Sequence, residues 1–437
     1  MCCRNLCIAG VLSLTVPAVA AAAPDPMLAL QWGLADPAAA GAAEAWTQSA
    51  GAGVVVAVLD TGVQLDHPDL EGAIWTNPGE VAGNGLDDDH DGFVDDVHGA
   101  NMLDSSGDVD DEQGHGTHVA GIIAARRGNG VGGSGMAPEA TILPVKVLDG
   151  GTTGSTDTLA RGMRYAVDRG ARILNVSANT DAATDAIKDA VAYAGQHGAV
   201  VVSAAGNDGR NIDLLPSYPA SLTDPAILCV GATTSAGRLW RSSNTGTLSV
   251  DVAAPGAEIL STAPGSSYES RTGTSAATAF VAGTLALLSA ARPDLSMSVL
   301  RSIVIDTASR RDYLATLLSG GRVDAGAAMH RALEGRPWQS ASADRPAAPA
   351  LNLRAKSTVR AGTRVKLRWT ATGTAAVTRW RVSLDGRVVA TVPVERESIA
   401  RRSPRPGTHR WRVVGLDAHR VEVVSATRRF KVSRRRT

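Results

Sequence analysis

The sequence predicts an α/β fold with a doubly wound parallel sheet, followed by a C-terminal antiparallel β-sandwich. Continuous apolar runs at residues 54–59 and 200–205 are typical of strands buried on both faces of a parallel sheet. Apolar segments rich in small residues, such as 276–292, predict helices packed against that sheet. After residue 333, short runs alternate apolar residues with arginine, which predicts strands with one solvated face.

Length and composition agree with two domains. A chain of 437 residues is too long for one compact domain, and 44% hydrophobic residues suffice for a sizeable core. We expect a signal peptide at 1–23 and an α/β domain at 24–335. A linker rich in Pro, Ala and Ser then follows at 336–350, and a basic β-sandwich at 351–437.

The first residues have the features of a secretory signal peptide: a charge at Arg4, an apolar core at 6–16 and small residues at 18–23. We therefore expect a secreted protein, either extracellular or periplasmic. The apolar core is too short to span a membrane, and we expect no later segment with the ~18 apolar residues that a transmembrane helix needs. Removal of the signal leaves Cys229 as a single thiol, which we expect to be buried and inert.

Three short motifs carry an acid, a base and a hydroxyl in a fixed order. They are Asp-Thr-Gly at 60–62, Gly-His-Gly-Thr-His at 114–118 and Gly-Thr-Ser-Ala-Ala at 273–277. Serine is a weak nucleophile unless a histidine takes its proton and a carboxylate holds the tautomer of that histidine. Asp60, His115 and Ser275 are therefore candidates for nucleophilic acyl transfer.

The local sequence around each candidate explains its placement. Asp60 ends a buried strand, at the edge where open α/β sheets form their ligand crevice. His115 leads into a small-residue helix at 118–125, for which we expect Gly128 to be the C-terminal cap. Ser275 begins a second apolar helix, whose unpaired N–H groups would stabilise a developing oxyanion.

A further candidate is Asn207, which follows the buried run at 200–206. In an acyl-transfer site, a side-chain amide at this place would donate to the tetrahedral oxyanion together with the N–H group of the serine. The sequence therefore supplies a base, a nucleophile and two oxyanion donors.

With these four positions in order, residues 31–333 resemble the subtilisin-like serine peptidases, the subtilase family. The resemblance implies a serine endopeptidase that hydrolyses peptide bonds of proteins or peptides through an acyl-enzyme on Ser275. It implies Asp60, His115 and Ser275 as the catalytic triad and Asn207 as the oxyanion donor. It also implies a substrate cleft, with Ser217 near the floor of the pocket for the residue before the scissile bond; the cleft residues are Ser177, Ala178, Asn179, Ala204, Ala205 and Gly206.

The chain departs from the family pattern at two places. Ala276, Ala279 and Phe280 stand where the family usually has Met, Pro and His. Residues 178–180 are Ala-Asn-Thr, where the family usually has Leu-Gly-Gly along an edge that pairs with the substrate backbone. Side chains at 178–180 would narrow the pocket entrance or alter selectivity.

These departures keep a second interpretation open. The resemblance leads us to expect an inhibitory propeptide, yet a mature-like start at 31–34 follows the signal within about ten residues. Either the enzyme folds without a propeptide, or the sequence is truncated at its start. The alternative function is a catalytically impaired relic that binds surfaces through its basic C-terminal domain.

Other patterns have simpler explanations. A single Asp-Thr-Gly does not make the paired carboxylate site of an aspartic peptidase. His118 lacks the His-Glu-x-x-His zinc pattern, so we expect a packed structural residue. The Gly-x-Gly-x-x-Gly match at 130–135 follows a predicted helix and precedes a strand, which is the reverse of a dinucleotide-binding motif.

An acidic loop is the candidate calcium site. Asp87, Asp89 and Asp91 alternate before Gly92, as in the first half of a calcium loop, and Asp95 follows. His98 replaces the bidentate Glu of an EF-hand, so this is not one, and a solvated acidic loop remains the alternative. We expect Ca2+ as a structural cofactor, and the family resemblance adds Asp69 as a possible ligand of a second site.

The C-terminal region is strongly basic. Residues 346–437 contain 22 Lys and Arg but only 5 Asp and Glu, a net charge of +17 that the rest of the neutral chain balances. The strand pattern resembles fibronectin type III or immunoglobulin-like modules. Such charge would attract lipopolysaccharide, anionic cell-envelope polymers or the acidic catalytic domain, or would only aid solubility. We expect no nucleic-acid partner and a monomeric protein.

Overall fold

The computed structural model describes residues 23–334, 350–372, 377, 379–416 and 422–434. The predicted signal peptide, except its last residue, and the predicted linker at 336–350, except Ala350, lie outside the described residues.

A nine-stranded sheet forms the centre of the first region, in the order β10-β11-β7-β6-β5-β4-β1-β3-β2. All neighbours are parallel except β10 and β11, and β8 and β9 form a separate antiparallel hairpin. The strands are β1 Val55–Asp60, β2 Ala100–Asn101, β3 Thr141–Lys146, β4 Ile173–Val176, β5 Val200–Ala204, β6 Ile227–Thr233, β7 Val252–Pro255, β8 Ile259–Ala263, β9 Ser267–Arg271, β10 Ser309–Arg310 and β11 Gly321–Arg322.

Helices cover both faces of this sheet. Successive residues of a strand point to opposite faces, and here the residues on both faces are apolar. Val56 and Val58 of β1 belong to a core shared with α3 and α6, whereas Ala57 and Leu59 belong to a core shared with α4 and α5. This confirms the predicted doubly wound α/β sheet. The helices are α1 Trp32–Ala35, α2 Ala42–Ala45, α3 His115–Ala124, α4 Thr156–Asp168, α5 Asp185–Gln196, α6 Thr274–Ala291, α7 Met297–Asp306 and α8 Ala325–Leu333, with 3-10 helices at Leu28–Leu30, Pro68–Leu70 and Asp312–Leu314.

The boundaries of α3 differ from the sequence prediction. The helix begins at His115 rather than at residue 118, and it ends at Ala124 because Ala125 adopts an extended ψ of 134°. Gly128 is therefore not the C-terminal cap; its positive φ of 76° serves the following turn, where its N–H donates to Asp25.

The apolar helix predicted at 276–292 corresponds to α6. Within the described residues, α6 alone is long and apolar enough to cross a membrane, with a mean hydropathy of 1.5 over 18 residues. Its sequence includes Thr274, Ser275, Thr278 and Thr284, so it is not an unbroken run of the ~18 apolar residues that a transmembrane helix needs. Since 83% of this helix is buried inside the fold, it is also what the core helix of a globular domain looks like.

The C-terminal region consists of a three-stranded sheet, β12-β14-β17, and a five-stranded sheet, β13-β19-β18-β15-β16. Along β14, Val365, Leu367 and Trp369 are buried while the basic residues between them are exposed, which is the predicted alternation. Pairing is antiparallel, as predicted for a β-sandwich, except that β13 runs parallel to β19. The strands are β12 Ala350–Arg354, β13 Thr358–Arg360, β14 Arg364–Thr372, β15 Arg379–Leu384, β16 Arg387–Pro393, β17 Ser398–Arg402, β18 Gly407–Leu416 and β19 Glu422–Ser433.

Candidate active site

Asp60 and His115 form a hydrogen-bonded pair at the carboxyl end of β1. Asp60 is fully buried, and its Oδ1 lies 2.6 Å from His115 Nδ1 and accepts a second hydrogen bond from the Thr61 N–H at 2.8 Å. Holding Nδ1–H in this bond fixes the tautomer that leaves Nε2 free to accept a proton. The pair therefore has the geometry of a base and the group that orients it.

The environment of His115 strengthens it as a base. Burial by itself would lower the pKa of His115, but the negative charge of Asp60 and the hydrogen bond to it outweigh burial and raise the pKa above its usual value. A histidine with a raised pKa holds an abstracted proton more firmly, which suits a residue that must carry that proton through a reaction.

Close backbone packing joins the first two motifs. A Cβ atom added to Gly116 would lie 1.9 Å from the carbonyl oxygen of Gly62, so only glycine fits there. Buried Asp111, which the sequence analysis missed, accepts hydrogen bonds from the Thr61 and Thr117 hydroxyls at 2.8 and 2.7 Å. It thereby holds the Asp60 and His115 segments together.

Ser275 lies in the first turn of α6, 8% exposed. Beside it, Asn207 Oδ1 accepts hydrogen bonds from the N–H and the hydroxyl of Thr274, both at 2.9 Å. Because the amide is planar, this arrangement turns Asn207 Nδ2 to the opposite edge as a donor. Thr274, which the sequence analysis did not single out, also accepts from the Gly206 N–H at 3.1 Å and so fixes both segments beside the serine.

One cavity of about 560 Å³ brings most of the predicted site together. Six of the predicted residues line it. Asp60 does not, because it is fully buried behind His115. The remaining predicted cleft residues are also buried: Ala204, Ala205, Gly206 and Ser217. Ser217 is 2% exposed, and its N–H donates to the Ser221 hydroxyl. The six lining residues are His115, Ser177, Ala178, Asn179, Asn207 and Ser275.

The acidic loop brings carboxylates together in two overlapping groups. In each group, one oxygen atom from every residue lies within 4.8 Å of the others: Glu80, Asp87 and Asp89 in the first, and Asp89, Asp91 and Asp96 in the second. The sequence analysis missed Glu80 and Asp96. Glu80 lies seven residues before the alternating acids, and Asp96 does not fall on their two-residue spacing.

Orphaned oxygens in this loop fit a hard cation. Glu80 Oε2, Asp89 Oδ1 and Asp91 Oδ2 are buried without a hydrogen-bond partner, and carboxylate oxygens are the donors that Ca2+ prefers. Arg169 neutralises the other side of the cluster, through Asp89 Oδ2 at 2.5 Å and Asp91 Oδ2 at 3.1 Å. The first group therefore fits calcium better than the second.

Asp95 and Asp69 lie outside these two groups. The Asp95 carboxylate accepts the backbone N–H groups of Asn84 and Gly85, at 3.1 and 2.9 Å, and so shapes the loop. Asp69 is buried, which raises its pKa to about 6, and it accepts from the Asn129 side chain. The charge of Asp25, a residue that the sequence analysis missed, raises the pKa of Asp69 further.

His118 is a packed residue, as expected. It is 2% exposed, and its Nε2 lies 2.9 Å from the carbonyl oxygen of Ile259. Burial lowers its pKa to about 4, so it is neutral at ordinary pH.

Comparison with known proteins identifies the class. The proteins that this chain resembles in sequence are serine peptidases, which are hydrolases. The model of the Subtilase family matches residues 51–332, and the chain belongs to the subtilase family.

The region aligned with this chain covers different shares of the individual relatives. The chain is 37% identical to thermitase from Thermoactinomyces vulgaris over 284 residues, which cover 65% of this chain and 91% of thermitase. It is also 37% identical to the cell wall-associated protease of Bacillus subtilis (strain 168) over 254 residues, 58% of this chain but 25% of that protein. A solved protease from Pseudoalteromonas arctica PAMC 21717 aligns with a TM-score of 0.60 and 31% identity, over 71% of this chain and 99% of that chain.

Proposed function

We propose that the protein is a secreted, calcium-stabilised serine endopeptidase that cleaves proteins or peptides through an acyl-enzyme on Ser275. One observation carries this proposal: a single cavity is lined by Ser275, by Asn207 and by a histidine that a buried carboxylate orients. Nucleophile, base and oxyanion donor are the three functions that acyl transfer requires.

The reaction follows from these roles. His115 Nε2 takes the proton of the Ser275 hydroxyl while Oγ attacks the substrate carbonyl carbon, and the oxyanion accepts hydrogen bonds from Asn207 Nδ2 and the Ser275 N–H. His115 then gives the proton to the leaving amine as the C–N bond breaks. Water, deprotonated by His115, attacks the ester carbonyl carbon; the C–Oγ bond then breaks and His115 returns the proton to Ser275 Oγ, with the Asp60 carboxylate stabilising each imidazolium.

A fluorophosphonate probe tests the activated serine without knowledge of the substrate. We expect labelling and casein cleavage by the wild type and neither by Ser275→Ala, whereas Ser270→Ala, an exposed serine on β9, should label normally. Asn207→Ala should still be labelled but lose roughly 10²–10³ in turnover, the loss known for this type of donor in subtilisin. A wild type that is neither labelled nor active would instead favour the impaired relic.

Calcium would have a structural role in this enzyme. We infer that Glu80, Asp87 and Asp89 hold one ion, since two of their oxygens are buried without partners. Asp69, with Asp25 facing it, would hold a second. Bound only by the folded state, such ions add to the free energy of unfolding. They take the place of disulfides, since removal of the predicted signal peptide leaves only Cys229.

A second function is favoured by a groove in the C-terminal region. It encloses about 860 Å³ and is lined by seven Lys and Arg side chains, among them Arg360, Arg364 and Arg428. We propose that it binds an anionic cell-envelope polymer. A concave concentration of positive charge suits a chain-like polyanion better than a flat membrane surface.

A further inference from the structure

The crevice beside Ser275 lies between the ends of two neighbouring strands. β4 and β5 pair in parallel as far as Val176 and Ser203. Beyond these strand ends, residues 177–180 and Asn207 line the active-site cavity, while residues 204–206 lie buried behind it. In parallel sheets such a crevice at the carboxyl ends receives the ligand. The Thr180 N–H and carbonyl both bond to Tyr218, at 2.9 and 2.7 Å, which fixes the segment at 177–180.

The segment behind the cavity, residues 204–206, is rigid and carries little side-chain bulk. Asn244 Nδ2 donates to the Ala205 carbonyl at 2.8 Å, and Asn244 Oδ1 accepts the N–H groups of Asp208 and Arg210. Gly206 has a φ of +101°, and a Cβ atom there would lie 2.5 Å from Asn244 Nδ2. This segment therefore cannot widen or narrow the crevice by side-chain movement.

Asn179 crosses the crevice to the segment at 204–206. Its Nδ2 donates to the carbonyl oxygen of Ala204 at 2.8 Å, although the two residues are 25 positions apart in the chain. Asn179 also lines the active-site cavity and is exposed to it. Glycine, which the family usually has at this place, would leave the crevice open.

The bridged crevice is next to the reacting atoms. Gly206 is bonded through its N–H to the Thr274 hydroxyl, and Thr274 directly precedes Ser275. The crevice is therefore within reach of a substrate side chain that is attached one carbon away from the attacked atom.

We propose that Asn179 is a specificity-determining residue that limits the residue before the scissile bond to small side chains such as Ala. A small side chain fits in front of the amide. A large one must displace it and leave the Ala204 carbonyl without its hydrogen-bond donor, which costs free energy in a partly buried site. This inference rests on the proposed peptidase function and deepens it.

The test compares two chromogenic peptides that differ only in having Ala or Phe before the scissile bond. We expect the wild type to favour Ala, and Asn179→Gly to raise the Phe-to-Ala ratio of kcat/KM by roughly tenfold or more, within the range of pocket discrimination by size. Asn179→Ala, which keeps the backbone stiffness that glycine loses, should raise the ratio in the same direction. Asn179→Asp keeps the size but cannot donate to Ala204, so it should raise the ratio less.

Thr153→Gly is the matched control, since it removes a side chain from another part of the same cavity. It should leave the Phe-to-Ala ratio within about twofold of the wild type, well below the discrimination that a pocket contact gives. Fluorophosphonate labelling of every variant separates the two proposals. If Ser275 is labelled and the Asn179 variants leave the ratio unchanged, the role of Asn179 is overturned and the peptidase function stands. If the wild type is not labelled, both are overturned.

Discussion

The α/β region and the C-terminal region bury their apolar side chains in different ways. Strand β1 places Val56 in one core and Leu59 in another, so nearly every residue of the strand is apolar. Strand β14 buries Leu367 and Trp369 and exposes the basic residues between them. A continuous apolar run therefore indicates a strand between two layers of helices, and an alternating run indicates a strand with one wet face.

The same contrast separates the functions of the two regions. Strand ends in the first region converge on one crevice, so a few polar residues after apolar runs form a reaction site. The second region has a solvent-exposed face on which arginine is repeated, and the groove lined by Arg360 and Arg364 is basic. We therefore expect chemistry from the first region and electrostatic binding from the second, and we expect substitutions in one region to leave the function of the other unchanged.

The largest effect is expected from Asp60→Asn, which affects only the first region. The substitution is nearly isosteric, but it removes the charge and the tautomer control on His115, and we expect kcat to fall by about 10⁴-fold. Binding of immobilised dextran sulfate should not change. Peptide hydrolysis and polymer binding, measured on the same preparation, check both statements; a parallel loss of binding would contradict the separation of functions.

The pH profile of the same variant sharpens this prediction. The wild type needs neutral His115, and Asp60 contributes to raising the pKa of that histidine. Activity should therefore rise with pH through a midpoint above 6.5, the ordinary value for histidine. In Asp60→Asn the residual activity should have its midpoint at lower pH, because the neutral amide no longer stabilises the imidazolium. An unchanged midpoint would show that another group controls the profile.

A smaller effect is expected from calcium removal. At a free calcium concentration of 100 times Kd, one site adds about 2.7 kcal/mol to the free energy of unfolding, so EDTA should lower the melting temperature of the α/β region. Glu80→Gln with Asp89→Asn should remove most of that dependence, whereas Asp104→Asn, a control outside the two carboxylate groups, should retain it. Calorimetry with and without EDTA measures this, and an EDTA-insensitive wild type would exclude structural calcium.

Sequence predicted the fold and the site where the necessary information is local. The run before Asp60 specifies a buried strand by itself, and the motif around Ser275 specifies a helix start. The residues that were missed depend on distant partners: Asp111 was one of four acids in a short run, and only its contact with Thr61, 50 positions away, distinguishes it. The bond from Asn179 to Ala204 is equally invisible in the sequence, because it depends on how β4 and β5 are paired.

The smallest effect is expected in the groove of the second region. Arg360→Ser with Arg364→Ser removes two charges that line it, and we expect dextran sulfate binding to weaken by roughly tenfold, since an exposed ion pair contributes up to about 1 kcal/mol. Peptide hydrolysis should be unaffected. Bound protein should elute as salt rises, because the Debye length falls from about 30 Å at 0.01 M to about 8 Å at 0.15 M.

Arg396→Ser with Arg405→Ser is the control for this experiment. It removes the same charge from exposed positions that do not line the groove, so a general attraction would weaken equally in both double variants and contradict a groove site. Anionic vesicles in place of the polymer distinguish a membrane surface from a chain-like ligand. A third outcome is that the groove variants lower the melting temperature and that the wild type binds neither polymer nor vesicle. The positive charge then acts within the protein, by docking on the acidic α/β region, of which Leu248 packs against the C-terminal core.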